Sequence, residues 1–273
     1  MYKITPMPMK SDNRYRYKIR KWLFDRIFPR GRQYVKNQAF PEGYMVYKSP
    51  ERALRIITRN PDRAAKGIVI CAHPYLSDAC GFFINNGHAD LYKKLNIQLI
   101  LFDFNGFGES PFSDFNFDLD IADIYRWTRE RNRDLPIFLH GISFGASQII
   151  RFLKNHNNSF VDSAIIENCL DKSIHYFKLR NKKIFFFLRL LGMIRPTVRK
   201  EGDYTEIIRH VRNIGRMAFI FGKNDLLTTT RMGNMLQKNC PVPSDVLLYE
   251  GKHLKAIEEK HEYQPFLEKF LNP

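Results

Sequence analysis

Short, apolar, β-branched segments alternating with helical ones constrain this chain more than any other feature. Ile68-Val69-Ile70-Cys71-Ala72 has the character of a strand buried on both faces of a parallel sheet. A helical stretch from about Gly81 to Leu95 follows, and then the apolar segment Ile97 to Phe104. The alternation continues with a helix from about Asp118 to Arg131, a strand from Leu135 to Gly141, a helix from Phe144 to Asn155 and a strand from Val161 to Glu167. Parallel strands need crossovers of this length, and such crossovers are right-handed. The pattern therefore predicts an α/β domain with a mostly parallel, doubly wound sheet flanked by helices. Gly43 to Lys48 and Ala53 to Thr58, split by the turn-like Ser49-Pro50-Glu51-Arg52, predict an entry hairpin ahead of it.

The alternation lapses between residues 169 and 214, a basic and aromatic segment without a convincing buried strand. It resumes with the strand Arg216 to Gly222, a helix from Thr228 to Gln237, the strand Ser244 to Glu250 and a closing helix from Leu254 to Phe270. Residues 37–273 are thus expected to form one domain, with 169–214 as a helical lid inserted after strand 6. A chain of 273 residues, 44% of them hydrophobic, is long enough to fill the core this requires.

Gly141-Ile142-Ser143-Phe144-Gly145 lies between an apolar strand and a helix. A serine on so tight a turn is strained, and flanking glycines let the strand and helix backbones pass closely. The spacing and context are those of a nucleophile elbow, with Ser143 at a helix N-terminus whose dipole favours developing negative charge. The plain alternative is that Ser143 is a helix N-cap. A serine hydroxyl needs a base, and Asp225 and His253 follow it in the order serine, acid, histidine, each just past a strand. Asp171, after the sixth strand, is the alternative acid. None of the other seven histidines lies in the loop directly after the last strand, His261 falling within the closing helix.

On these residues the chain resembles the α/β-hydrolases over nearly all of residues 39 to 272. The resemblance implies Ser143 as nucleophile, His253 as general base and then acid, and Asp225 as the group that orients the imidazole. It also implies an oxyanion hole built from the backbone N–H groups of Phe144 and Tyr75, the latter in the loop Cys71-Ala72-His73-Pro74-Tyr75. Residues 102–110 are similar to the Asp-x-Arg-Gly-x-Gly-x-Ser stretch of many members, with Asn105 in place of the arginine. Gly106 and Gly108 lack the third glycine of a dinucleotide fingerprint, and no cofactor or metal site is expected.

The activity so implied is that of a serine esterase or thioesterase with an apolar acyl group, through an acyl-enzyme on Ser143. Two alternatives stand beside it. One is an acyltransferase passing the acyl group to an alcohol or amine or taking it from a carrier protein, and the other is a non-catalytic hydrolase-like module that binds an acidic partner or a membrane.

Charge bears on partners. Of the net +16, residues 1–36 carry +9 and residues 171–212 carry +7, while the other 195 residues are neutral. An amphipathic helix is expected in the basic leader 1–36, with Tyr15, Ile19, Trp22, Leu23, Ile27 and Phe28 on its apolar side. Two cationic segments on a neutral body suit an acyl carrier protein, a coenzyme A thioester or an anionic membrane surface, or else are solvated faces. No nucleic-acid recognition motif is visible. The four cysteines, Cys71, Cys80, Cys169 and Cys240, have neither disulfide nor zinc spacing, and residues 1–36 lack the apolar core of a secretory signal. A cytoplasmic protein with peripheral membrane contact is the resulting expectation.

Overall fold

The computed structural model describes residues 11–28, 40–75, 79–180, 182–194 and 200–272. The ends of the basic leader (1–10 and 29–36), residues 195–199 of the insertion and the side chain of Cys80 lie outside the described residues.

Strands β1 (Tyr44–Lys48), β2 (Arg55–Arg59), β3 (Gly67–Ala72), β4 (Ile97–Phe102), β5 (Ile137–Ile142), β6 (Val161–Glu167), β7 (Ile214–Gly222) and β8 (Ser244–Tyr249) form one sheet in the order β1-β2-β4-β3-β5-β6-β7-β8. β2 runs antiparallel to β1 and β4, and every other pairing is parallel. Every residue of β3 and β5 is buried, as their unbroken apolar runs require. The chain leaves β3 toward β4 and returns to β5 on its other side, so the sheet changes winding direction at β3. Crevices at such a switch point, beyond the carboxyl ends of the strands, are where open α/β sheets hold ligands.

The helices are α1 (Ser11–Ile27), α2 (Ala79–Asn85), α3 (His88–Lys94), α4 (Phe117–Arg131), α5 (Phe144–Asn155), α6 (Ser173–Arg180), α7 (Lys182–Ile194), α8 (Tyr204–Ile208), α9 (Thr230–Asn239) and α10 (Lys260–Leu271). Ile121, Ile124, Ile149 and Phe152 of α4 and α5 fill one face of the sheet, and Phe83, Tyr92, Tyr263 and Leu267 of α2, α3 and α10 fill the other.

Three local expectations change. The helix read over Gly81 to Leu95 is two helices, because Gly87 turns into the left-handed region at φ 86°. The closing helix starts at Lys260 rather than Leu254, since Leu254 itself is left-handed (φ 64°) and a short 3-10 turn, Ala256–Glu258, comes first. The third concerns α1. Tyr15, Ile19, Trp22, Leu23 and Ile27, read as its apolar side, are exposed, whereas Phe24 is only 1% exposed and joins the core. Tyr17, Phe24 and Phe28 lie seven and four residues apart, so they share the face that packs on Phe107, Phe112 and Phe117. In the insertion, no described side chain of α6 or α7 is buried, but Tyr204 and Ile208 of α8 are buried against the body.

Candidate active site

The elbow behaves as its sequence demands. Ser143 sits at φ 53° and ψ −109°, a strained conformation for a residue with a side chain. It is held there by its N–H, which donates to the Glu167 carbonyl at 2.8 Å. A Cβ added to Gly141 would lie 2.6 Å from the Ala146 backbone, and one on Gly145 would collide with the Ala72 carbonyl. Both glycines are therefore required by the close passage of α5 over β5 and β3.

Ser143 Oγ lies 3.2 Å from His253 Nε2, and His253 Nδ1 lies 2.7 Å from Asp225 Oδ2. Asp225 also accepts from the backbone N–H groups of Leu227 (2.8 Å) and Thr228 (2.9 Å), from the Thr228 hydroxyl, and from Asn168 Nδ2 at 3.0 Å. Burial alone raises a carboxyl pKa, but here the bond and charge of His253, with those from Thr228, outweigh it and hold Asp225 below its ordinary value. An ionised Asp225 fixes the hydrogen on Nδ1, which leaves Nε2 as the acceptor facing the serine hydroxyl.

Asp171, the alternative acid, lies apart from this group. It accepts from His175 Nδ1 at 2.6 Å and its carbonyl accepts from the N–H of Tyr204. Sequence reasoning missed Asn168, Thr228 and Tyr249. Asn168 takes the left-handed conformation (φ 48°) directly after β6, and the Tyr249 hydroxyl donates to Asn168 Oδ1 or to the Lys252 carbonyl, at 3.0 and 2.8 Å. The signal for Thr228 was present in the Asp-x-x-Thr spacing of a side-chain turn. For Asn168 no local pattern exists, because its partners are 57 and 81 positions away.

Phe144 is the first residue of α5, where backbone N–H groups have no helical acceptor. The loop carrying Tyr75 crosses directly over this point, as the contact between Gly145 and Ala72 requires. His73 pins that loop, with Nδ1 donating to the Pro74 carbonyl at 2.7 Å and Nε2 accepting from the N–H of Phe104 at 3.1 Å. Complete burial lowers its pKa to about 4, so it stays neutral, as this pairing needs. The Tyr75 hydroxyl donates to the Ile27 carbonyl at 3.3 Å. Asn105, in place of the arginine, donates its N–H and side-chain amide to Asp120 Oδ2 and accepts from the N–H groups of Ser113 and Asp114. It thereby shapes the loop that presents Phe107 and Phe115.

A cavity of about 230 Å³ opens beside Ser143, walled by Phe28 of the leader, Phe115, Phe117, Phe144, and Tyr176 and Phe177 of α6. A wider hollow of about 740 Å³, lined by Asp118, Lys154, Glu206 and His210, does not include Ser143 and shares only Arg151 with it.

A mostly parallel eight-stranded sheet, with a strained serine between β5 and α5 and a histidine after β8 facing it, decides the architecture. The fold is that of the α/β-hydrolases. Among solved structures, the chain is similar to an esterase of Pyrococcus furiosus (TM-score 0.67, 16% identity, 87% of this chain and 95% of that one). It is also similar to a Xanthomonas campestris protein described as an α/β serine hydrolase without a lid (TM-score 0.62, 15% identity, 87% and 99%). A monoacylglycerol lipase of Paleococcus ferrophilus superposes at TM-score 0.60, with 14% identity over 80% of this chain and 98% of that one. No protein-family model and no curated protein matches the sequence.

Proposed function

We propose that this α/β-hydrolase-fold chain is a serine esterase or thioesterase that cleaves substrates with an apolar acyl group. One observation carries this: Ser143, His253 and Asp225, far apart in sequence, stand in an unbroken line of contacts at 3.2 and 2.7 Å. His253 Nε2 takes the Ser143 proton as Oγ attacks the acyl carbon, and the Phe144 and Tyr75 N–H groups meet the developing oxyanion. The imidazolium then protonates the leaving group, which departs to leave an acyl-enzyme. Water attacks this ester, giving its proton to His253 and the acid to solvent, and Ser143 Oγ recovers its hydrogen. The aromatic walls of the cavity suit a hydrocarbon chain, and α6, whose Tyr176 and Phe177 line it, acts as the lid over it. That neighbours of the same fold include an esterase and a monoacylglycerol lipase supports an ester as substrate.

The test is intact-mass spectrometry after exposure to a fluorophosphonate, using the wild type, Ser143→Ala and His253→Ala. A single adduct on the wild type, absent from both variants, is expected. An unlabelled, folded wild type would overturn the proposal and bring the non-catalytic binding module forward.

A further inference from the structure

We infer that α7, with the outer face of α1, docks this protein on an anionic phospholipid surface beside the cavity mouth. Among the described residues, α7 is the most apolar helix left without cover. None of its residues is buried, and Phe186 (69%), Phe187 (61%), Met193 (68%) and Ile194 (74%) are largely exposed. Phe186, Leu190, Met193 and Ile194 are spaced four, seven and eight residues on, so they form one ridge. The charged residues of this helix are Lys182, Lys183 and Arg189, and it has no carboxylate. Exposed apolar ridges of this size on a soluble body mark a contact surface.

The outer face of α1 repeats the chemistry. Tyr15, Ile19 and Trp22, four and three residues apart, are exposed in line, with Lys18 and Arg20 exposed beside them. Arg26 lies over the Trp22 ring at 4.8 Å, and Asp25 is taken up by Lys21 at 2.6 Å. Aromatic and aliphatic tips amid lysines and arginines are what an interfacial helix presents to lipid, apolar tips entering the acyl boundary and cations meeting phosphates. No helix among the described residues is long and apolar enough to cross a membrane, so contact is at the surface.

Charge selects this occupant over others. A second copy would bring another +16 against these cations. An acidic protein would meet the cations but leave a protruding apolar ridge needing a matching groove, whereas a fluid acyl layer accommodates any relief. Position adds the rest. Ile27 and Phe28 at the end of α1, and Tyr176 and Phe177 of α6, all line the Ser143 cavity, and α6 leads into α7. The substrate class that follows, a lipid ester drawn from the surface, rests on the hydrolase proposal; the docking does not.

The experiment is vesicle sedimentation of the full chain carrying Ser143→Ala, so that no turnover intervenes. Phosphatidylcholine vesicles with and without phosphatidylglycerol are compared, with and without Phe186→Asp, Phe187→Asp and Leu190→Asp together. Sedimentation with the anionic vesicles only, weakened about ten-fold or more by the α7 changes, is expected. Because these side chains are exposed, the thermal midpoint and turnover of a water-soluble short-chain ester, read in the active-serine background, stay unchanged. Equal binding to both vesicles, no binding, or an undiminished α7 variant would overturn the docking, as would a dimer by light scattering that the variant dissolves. Vesicle binding by a chain that hydrolyses no ester would leave docking standing and remove only the hydrolase proposal.

Discussion

Phenylalanine is abundant both at the sheet's carboxyl edge and along α7, yet the two regions use it in opposite ways. At the edge, the rings of Phe104, Phe107, Phe117 and Phe144 stand 5.1–6.3 Å apart in mostly edge-on contacts, walled in by Phe24 and Phe28. They make a rigid setting for a strained serine. Along α7, Phe186 and Phe187 face outward and contribute nothing to the core. Composition alone does not distinguish the two; the difference lies in whether another element arrives to cover the ring.

The largest effect should come from the rigid region. Asp225→Asn keeps the shape of the relay but frees His253 to adopt the wrong tautomer, and kcat/KM on a soluble ester is expected to fall by about 10⁴-fold. A fall under ten-fold would show that the hydrogen on Nδ1 is fixed by some other group.

Next, Phe24→Ala removes a fully packed ring and should cost roughly 3–5 kcal/mol in urea unfolding, together with loss of acyl-chain selectivity. The same change at Phe187 should move stability by no more than about 0.5 kcal/mol. Equal costs at the two positions would erase the distinction drawn above.

A smaller effect is set by pH. Burial lowers the pKa of His73 to about 4 and of His88 to about 3 from the ordinary 6.5. Below pH 6.5 the unfolded chain takes up protons that the folded chain refuses. Stability is therefore full above 6.5 and is lost as pH falls, by on the order of 3 kcal/mol for His73 by pH 4. Both ring nitrogens of His88 are buried without a hydrogen-bond partner among the described residues, so His88→Leu should flatten the loss of urea midpoint between pH 7 and 5. An unchanged slope would assign the acid sensitivity elsewhere.

The framework was legible because each buried strand carries its own signal over five or six residues. Ser143 was legible because strain forces glycines beside it, and His253 because a late strand and a turn glycine frame it. What stayed hidden depends on distant partners. Asn168 is one polar residue after a strand until β7 and β8 bring Asp225 and Tyr249 to it. Of the six residues expected on the apolar side of α1, Phe28 packs inward and the other five face outward, and only the aromatic pocket under Phe24 decides which stripe is buried.

The end of β6 has one more consequence. The Glu167 carbonyl holds the backbone of Ser143, and the next residue, Asn168, holds the carboxylate of Asp225. The nucleophile and the acid thus hang from adjacent residues, the last of β6 and the first beyond it. A displacement of that end of β6 would move both in the same direction, a common-mode shift that would spare the gap His253 must bridge.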